Sequence, residues 1–132
     1  VLTPTYYVFK MYNVHQDATY LPLDLNCEVM DVRDNRKVPI VSATASKDKD
    51  GKIHISMSNI DADNAQEITI NLPDVKAKKA VGEILTSANL TDYNSFENPN
   101  NIKLAPFKEV KINKGVLKIK LPAKSIVTIE LQ

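Results

Sequence analysis

Lys47-Asp48-Lys49-Asp50-Gly51-Lys52-Ile53-His54-Ile55-Ser56-Met57-Ser58 decides the fold class. Asp50-Gly51 is a dipeptide that accepts the positive φ of a hairpin turn. Ile53, Ile55 and Met57 then alternate with His54, Ser56 and Ser58. This period of two turns one strand face to a core and the other to water.

The same period recurs along the chain. Ile68, Ile70 and Leu72 alternate with Glu67, Thr69 and Asn71, and Pro73 stops the run. Leu117, Ile119 and Leu121 face one way after the turn Asn113-Lys114-Gly115, which joins them to Val110–Ile112. Val127, Ile129 and Leu131 follow the turn at 122–125. Val38–Ser46 is a further strand, and Lys79–Leu85 another in which Gly82 marks a bulge. Tyr20–Leu25 and Cys27–Val32 form an irregular strand opening, with Pro22 suited to an edge, before the polar turn Arg33–Lys37. Seven or eight short strands with hairpin turns and no helices between them indicate an all-β, antiparallel two-sheet sandwich, jelly-roll-like. Its predicted core is Ile53, Ile55, Ile68, Ile70, Leu72, Leu117, Ile119, Val127, Ile129 and Leu131.

One short N-terminal α-helix precedes the strands. Thr3 is placed to cap it and Pro4 sits where a first-turn proline is tolerated. Val8, Met11, Tyr12 and His15 recur at helical spacing and make one stripe. A lone helix has nothing of its own kind to pack against, and the chain opens at Val1. Either the helix lies across its own sheet, or the chain is a piece cut from a larger protein.

Composition narrows the function. The 132 residues suffice for a core without staples, and 17 basic against 16 acidic residues leave no footprint for nucleic acid. No apolar run approaches membrane-spanning length. Cys27 is single, and with two histidines no ordinary zinc site can be assembled. No cofactor or metal is expected. Glycines 51, 82 and 115 are isolated, so there is no phosphate-cradling loop. His54 shares the polar face of its strand with Ser56 and Ser58, two and four residues on, yet no glycine elbow or neighbouring carboxylate supports a hydrolase, and it is expected as an exposed strand histidine. Asp48-Lys49-Asp50-Gly51 and Asp61-Ala62-Asp63-Asn64 lack the ligand set of a calcium loop, with only a weak surface site conceivable at Asp61–Asp63. Glu67, Glu83, Glu109 and Glu130 fall on outward strand positions among lysines, the solvated face of a sheet, and make no hydrolytic pair. Asn89-Leu90-Thr91 fits the glycosylation sequon, relevant only in a secretory setting. No catalytic residue is assigned.

Several blocks, in order, resemble the family-51 glycoside hydrolases, the α-L-arabinofuranosidases. Leu2–Tyr12 running into His15-Gln16-Asp17-Ala18 is similar to the end of their catalytic barrel. Ser42–Ser46 leading to Asp50–His54 and Asn59-Ile60-Asp61 is similar to their sandwich hairpin. Ile84-Leu85-Thr86, Asn94–Pro99 and Ala105-Pro106-Phe107 resemble the long inter-strand loop, and Leu121–Ser125 the closing turn. The resemblance implies a TIM barrel carrying two catalytic glutamates upstream in the same polypeptide, acting with retention on terminal α-L-arabinofuranosyl groups of arabinan and arabinoxylan. Residues 1–19 would be the last barrel helix and connector, and 20–132 the C-terminal β-sandwich. No residue here matches either glutamate motif. The piece is expected to support barrel and subunit packing in a homo-oligomeric enzyme and to be inactive alone. The compartment stays open.

Two segments are then candidates for docking. Tyr6, Tyr7, Phe9, Met11 and Tyr12 put more apolar area on the helix than one sandwich edge readily buries, and His15 either caps the helix or touches a neighbouring domain. Phe96 and Phe107 stand among polar residues in the long loop. The alternative function is a carbohydrate-binding module recognising hemicellulose directly. Such modules present aromatic rows on a strand face, whereas Tyr20, Tyr93, Phe96 and Phe107 fall in loops or at strand openings.

Overall fold

The computed structural model describes residues 1–23, 25 and 27–132. Helix α1 spans Pro4–Tyr12, opened by Thr3, whose Oγ1 accepts from the Tyr6 N–H at 3.4 Å, and a 3-10 turn Asn13–His15 extends it. Eleven strands follow among the described residues: β1 (Thr19–Leu21), β2 (Val29–Val32), β3 (Arg36–Pro39), β4 (Val41–Lys47), β5 (Ile53–Asn59), β6 (Gln66–Asn71), β7 (Ala80–Thr86), β8 (Ala105–Phe107), β9 (Val110–Asn113), β10 (Val116–Leu121) and β11 (Ser125–Leu131).

Every pairing is antiparallel. Six strands form one sheet in the order β1-β4-β5-β11-β7-β8, three form a second in the order β6-β10-β9, and β2-β3 is a separate hairpin. Ile55, Met57, Val127, Ile129 and Leu131 of the large sheet meet Ile68, Ile70, Leu117, Ile119 and Leu121 of the small one in a single core. The antiparallel sandwich is the predicted fold. Of the predicted core, Ile53 and Leu72 are only half-buried and pack at its margin.

Three local departures have physical causes. The predicted strand Val38–Ser46 divides at Ile40, where the chain changes sheets. The Ile40 N–H goes to Glu28 O at 2.9 Å and its carbonyl accepts from Ile60 N at 3.0 Å, so both polar groups are satisfied while the side chain is buried. The polar turn before it is a hairpin tip, with Asp34 and Asn35 in left-handed conformation at φ 63° and 57°. The irregular strand opening expected over Tyr20–Leu25 and Cys27–Val32 yields the short edge strand β1, ending at Leu21 before Pro22, and then β2 from Val29; Asp24 lies outside the described residues.

Gly82 is not a bulge. It pairs in unbroken register with Ile129 on one side and Phe107 on the other, and an added Cβ would lie 3.1 Å from the Phe107 ring. The missing side chain gives Phe107 its seat. At Gly115, φ is +77° and an added Cβ would meet Leu72 O at 2.6 Å, where the Gly115 carbonyl also accepts from the Leu72 N–H at 2.7 Å. Gly115→Ala is therefore expected to destabilise the chain by about 1–3 kcal/mol through backbone strain. A urea midpoint equal to wild type would contradict this.

Candidate docking surface on the outer sheet face

The large sheet is covered on both faces. On its outer side β4 presents Ser42, Thr44 and Ser46, β5 presents His54, Ser56 and Ser58, β11 presents Ile126, Thr128 and Glu130, and β7 presents Val81, Glu83 and Leu85. Helix α1 lies on this side. Tyr7 and Met11 are buried with Leu85 and Ile102 in a satellite core, flanked by Val8, Tyr12, Leu104 and Ile126. The helix thus sits between the sheet and the loop joining β7 to β8.

Polar contacts complete the seat. His15 Nδ1 lies 2.6 Å from Ser46 Oγ and its Nε2 2.7 Å from Ser56 Oγ, while Ser56 Oγ is 3.0 Å from Thr128 Oγ1. One ring nitrogen of the neutral imidazole donates and the other accepts from a hydroxyl. Burial pushes the His15 pKa below the ordinary histidine value, and the charge of His54 adds to this. His15 therefore does more than cap the helix; it bonds its own sheet.

His54 corrects a second expectation. It is 7% exposed, not on a solvated face, because Val14 and His15 of the 3-10 turn pack on that side of the sheet. Its Nε2 is 3.2 Å from Glu130 Oε2, which also accepts hydrogen bonds elsewhere on the carboxylate from Lys52 and Gln132. A carboxylate can only accept, so the His54 Nε2 donates. Nδ1 has no hydrogen-bond partner and lies 3.8 Å from Asp48 Oδ2. Glu130 is held below the usual carboxylate range, first by Gln132 and then by His54 and Lys52. It is part of a network and is only half-exposed.

Although Ser56 is within 2.7 Å of a histidine, it is fully buried and the second nitrogen of that ring meets Ser46, not a carboxylate. A substrate cannot reach it, and nothing polarises the base. Asp61 Oδ1 accepts from the N–H groups of Asp63 and Asn64 at 2.9 and 3.0 Å, which lowers its pKa and shapes the turn. Among the described residues no group of three or more His, Cys, Asp or Glu is placed to hold a metal ion.

The docking candidates divide. Tyr7 and Met11 are consumed by the satellite core, Tyr12 is half-buried beside it, and Phe107, 5% exposed, belongs to the main core. Tyr6 remains partly exposed, Phe9 is 75% exposed and Phe96 88% exposed. Leu2, Leu90 and Tyr93 are exposed as well. Asn94 ties the two segments that carry these residues to each other. Its Nδ2 donates to both Leu2 O and Ile102 O at 2.8 Å, and its Oδ1 accepts from Ile102 N at 2.6 Å. The loop bearing Tyr93 and Phe96 is thereby tied to the residues just ahead of α1. An open, mainly apolar cleft of about 750 Å³ runs between Pro4 and Val8 of the helix and Leu85, Ile102 and Ile126, with Asp92 and Lys124 on its walls. Neither Asn94 nor the two serines carries a local signature, since their partners lie up to 92 residues away.

The model of the alpha-L-arabinofuranosidase C-terminal domain matches residues 1–125. The chain is 80% identical over all its 132 residues to an intracellular exo-alpha-L-arabinofuranosidase of Bacteroides ovatus, covering 26% of that protein. Its fold superposes over its full length on the GH51 arabinofuranosidase from Xanthomonas axonopodis pv. citri with a TM-score of 0.94 at 36% identity, covering 27% of that chain. The thermostable GH51 enzyme of Thermotoga petrophila shares the fold at a TM-score of 0.75 and 20% identity, with 29% of it covered. The chain thus spans about a quarter of the length of these relatives. Its extent of match and unbroken superposition make it a member of the alpha-L-arabinofuranosidase C-terminal domain family.

Proposed function

We propose that the chain is the accessory sandwich of an enzyme removing terminal α-L-arabinofuranosyl groups from arabinan and arabinoxylan. Bond cleavage resides in two glutamates of a barrel upstream in the same polypeptide, and this domain braces that barrel and the packing of subunits. The observation that carries the reading is the set of large exposed apolar side chains on two segments, Leu2, Tyr6 and Phe9 at the N-terminus and Tyr93 and Phe96 in the loop that Asn94 ties to Leu2. Large exposed apolar side chains on segments joined in this way point to an interaction surface. The 80% identity to a much longer arabinofuranosidase supports a large neighbour in the same polypeptide as the partner.

Phe9→Lys with Phe96→Lys tests this. Both side chains are already exposed, so the pair is expected to change the stability of the chain alone by no more than about 0.5 kcal/mol. In the intact polypeptide it is expected to lower the temperature at which arabinofuranosidase activity is lost. An unmoved inactivation temperature would overturn the reading. Retardation of the wild-type chain in arabinan or arabinoxylan gels, abolished by Tyr93→Ala and Phe96→Ala, would instead establish a carbohydrate-binding module.

A further inference from the structure

His15 occupies a singular position. It ends the segment that carries α1, and it is the point where that segment is hydrogen-bonded through a side chain to two strands at once, Ser46 of β4 and Ser56 of β5. We propose that the neutral His15 imidazole is a pH-sensitive latch: it holds the segment Pro4–His15 on the outer sheet face, and protonation loosens that hold.

The surroundings set the sign. From α1, Tyr12 meets the imidazole edge-on with ring centroids 5.8 Å apart. From β5, His54 stands on the same sheet face, opposite Ser46 in register. From β11 and β7, Glu130 and Glu83 line the shallow pocket that Val14 and His54 share. Asp48 and Lys52 lie beyond His54, and Asp17 follows in the chain. Among the described residues no carboxylate lies within 4.0 Å of His15; Glu130 and Asp48 face His54 instead. An imidazolium at His15 would therefore be half-buried with hydroxyls alone as partners, beside a second histidine. Taking a charge out of water without an opposing charge is costly.

The sign follows from linkage. Seating lowers the basicity of His15, so the released segment binds the proton more readily than the seated one. The stabilisation is complete above the ordinary histidine value and is lost as pH falls through the seated-state value. The satellite core of Tyr7 and Met11 remains, so acid raises the population of the released state without unfolding the sandwich.

Native-state hydrogen exchange on the 132-residue chain between about pH 7.5 and about pH 5.5, corrected for intrinsic rates, spans the ordinary histidine pKa. The expected result is a several-fold rise in opening for the amides of residues 6–12 as pH falls, with β5 and β11 unchanged. His15→Gln, which cannot titrate, is expected to flatten that profile. An identical pH profile in wild type and variant, or no profile in wild type, overturns the latch. Should His15→Gln release the segment at every pH, the wild-type imidazole decides by NMR. A His15 titration midpoint below the ordinary histidine value, sensed by the Ser46 and Ser56 amides, supports the latch; an ordinary midpoint overturns it.

Discussion

Ile129→Ala is expected to lower the free energy of unfolding by about 2–5 kcal/mol, at the upper end of that range. Ile129 is fully buried on β11, the strand flanked by β5 and β7 at the middle of the large sheet. It pairs with Ile55 on one side and with Gly82 on the other. Gly82 has no side chain to move into the space, and the Phe107 ring is already seated on its Cα. Backbone pairing on both edges prevents β11 from closing inward. The cavity therefore stays open, and both transfer and cavity penalties apply. Against a total stability of roughly 5–15 kcal/mol for a domain, the variant would stand near the edge of folding. Urea titration should show a lower midpoint at constant slope. Val81→Ala, at a side chain that is itself exposed, should stay within about 0.5 kcal/mol of wild type. Equal midpoints for Ile129→Ala and wild type would mean that the core is not organised around β11.

The main core was legible because its alternation is local. Ile68 and Ile70, Leu117 and Ile119, and Val127 and Ile129 each mark an inward face over a few residues, and the structure buries all six. The outer face of the large sheet was not legible, and the reason is chemical. Ser46, His54, Ser56 and Thr128 alternate with apolar residues just as solvent-facing residues do, yet all four are buried. Burial is tolerated because Ser46, Ser56 and Thr128 hydrogen-bond with His15 or one another, and His54 with Glu130. Period two distinguishes the sheet's faces, but not water from a covering helix.

The docking candidates were partly legible for a related reason. An apolar-rich helix announces that something covers it, and its spacing does not say whether that cover belongs to the same domain. Helix α1 uses both: Tyr7 and Met11 turn inward, Tyr6 and Phe9 outward. The loop divides in the same manner, with Ile102 and Phe107 inward and Tyr93 and Phe96 outward. Family resemblance supplied the frame that composition alone could not, since no reaction constellation is present among the described residues to point to one.

Met11→Ala should release the N-terminal segment while leaving the sandwich folded. From sequence alone, an underused apolar helix is expected to fray in dilute solution and to gain protection by self-association. The satellite core leads to a different outcome, in which the amides of α1 are protected in the monomer and independent of concentration. Met11 is 2% exposed and is the most deeply buried of the four residues that form that core, the others being Tyr7, Leu85 and Ile102. Its truncation carries the penalty of about 2–5 kcal/mol usual for a buried methionine. Because a nine-residue helix has little stability of its own, that loss falls on the docking of the segment. His15 alone, held by two neutral hydrogen bonds worth about 1 kcal/mol each, does not offset it. Hydrogen exchange should show the amides of residues 6–12 losing protection in the variant, while those of β5, β10 and β11 keep theirs. Phe9→Ala, at a side chain 75% exposed, should leave the segment in place. Loss of protection spread evenly over the sandwich would show instead that the helix and the sheets unfold as one unit, and that the satellite core is an extension of the main one.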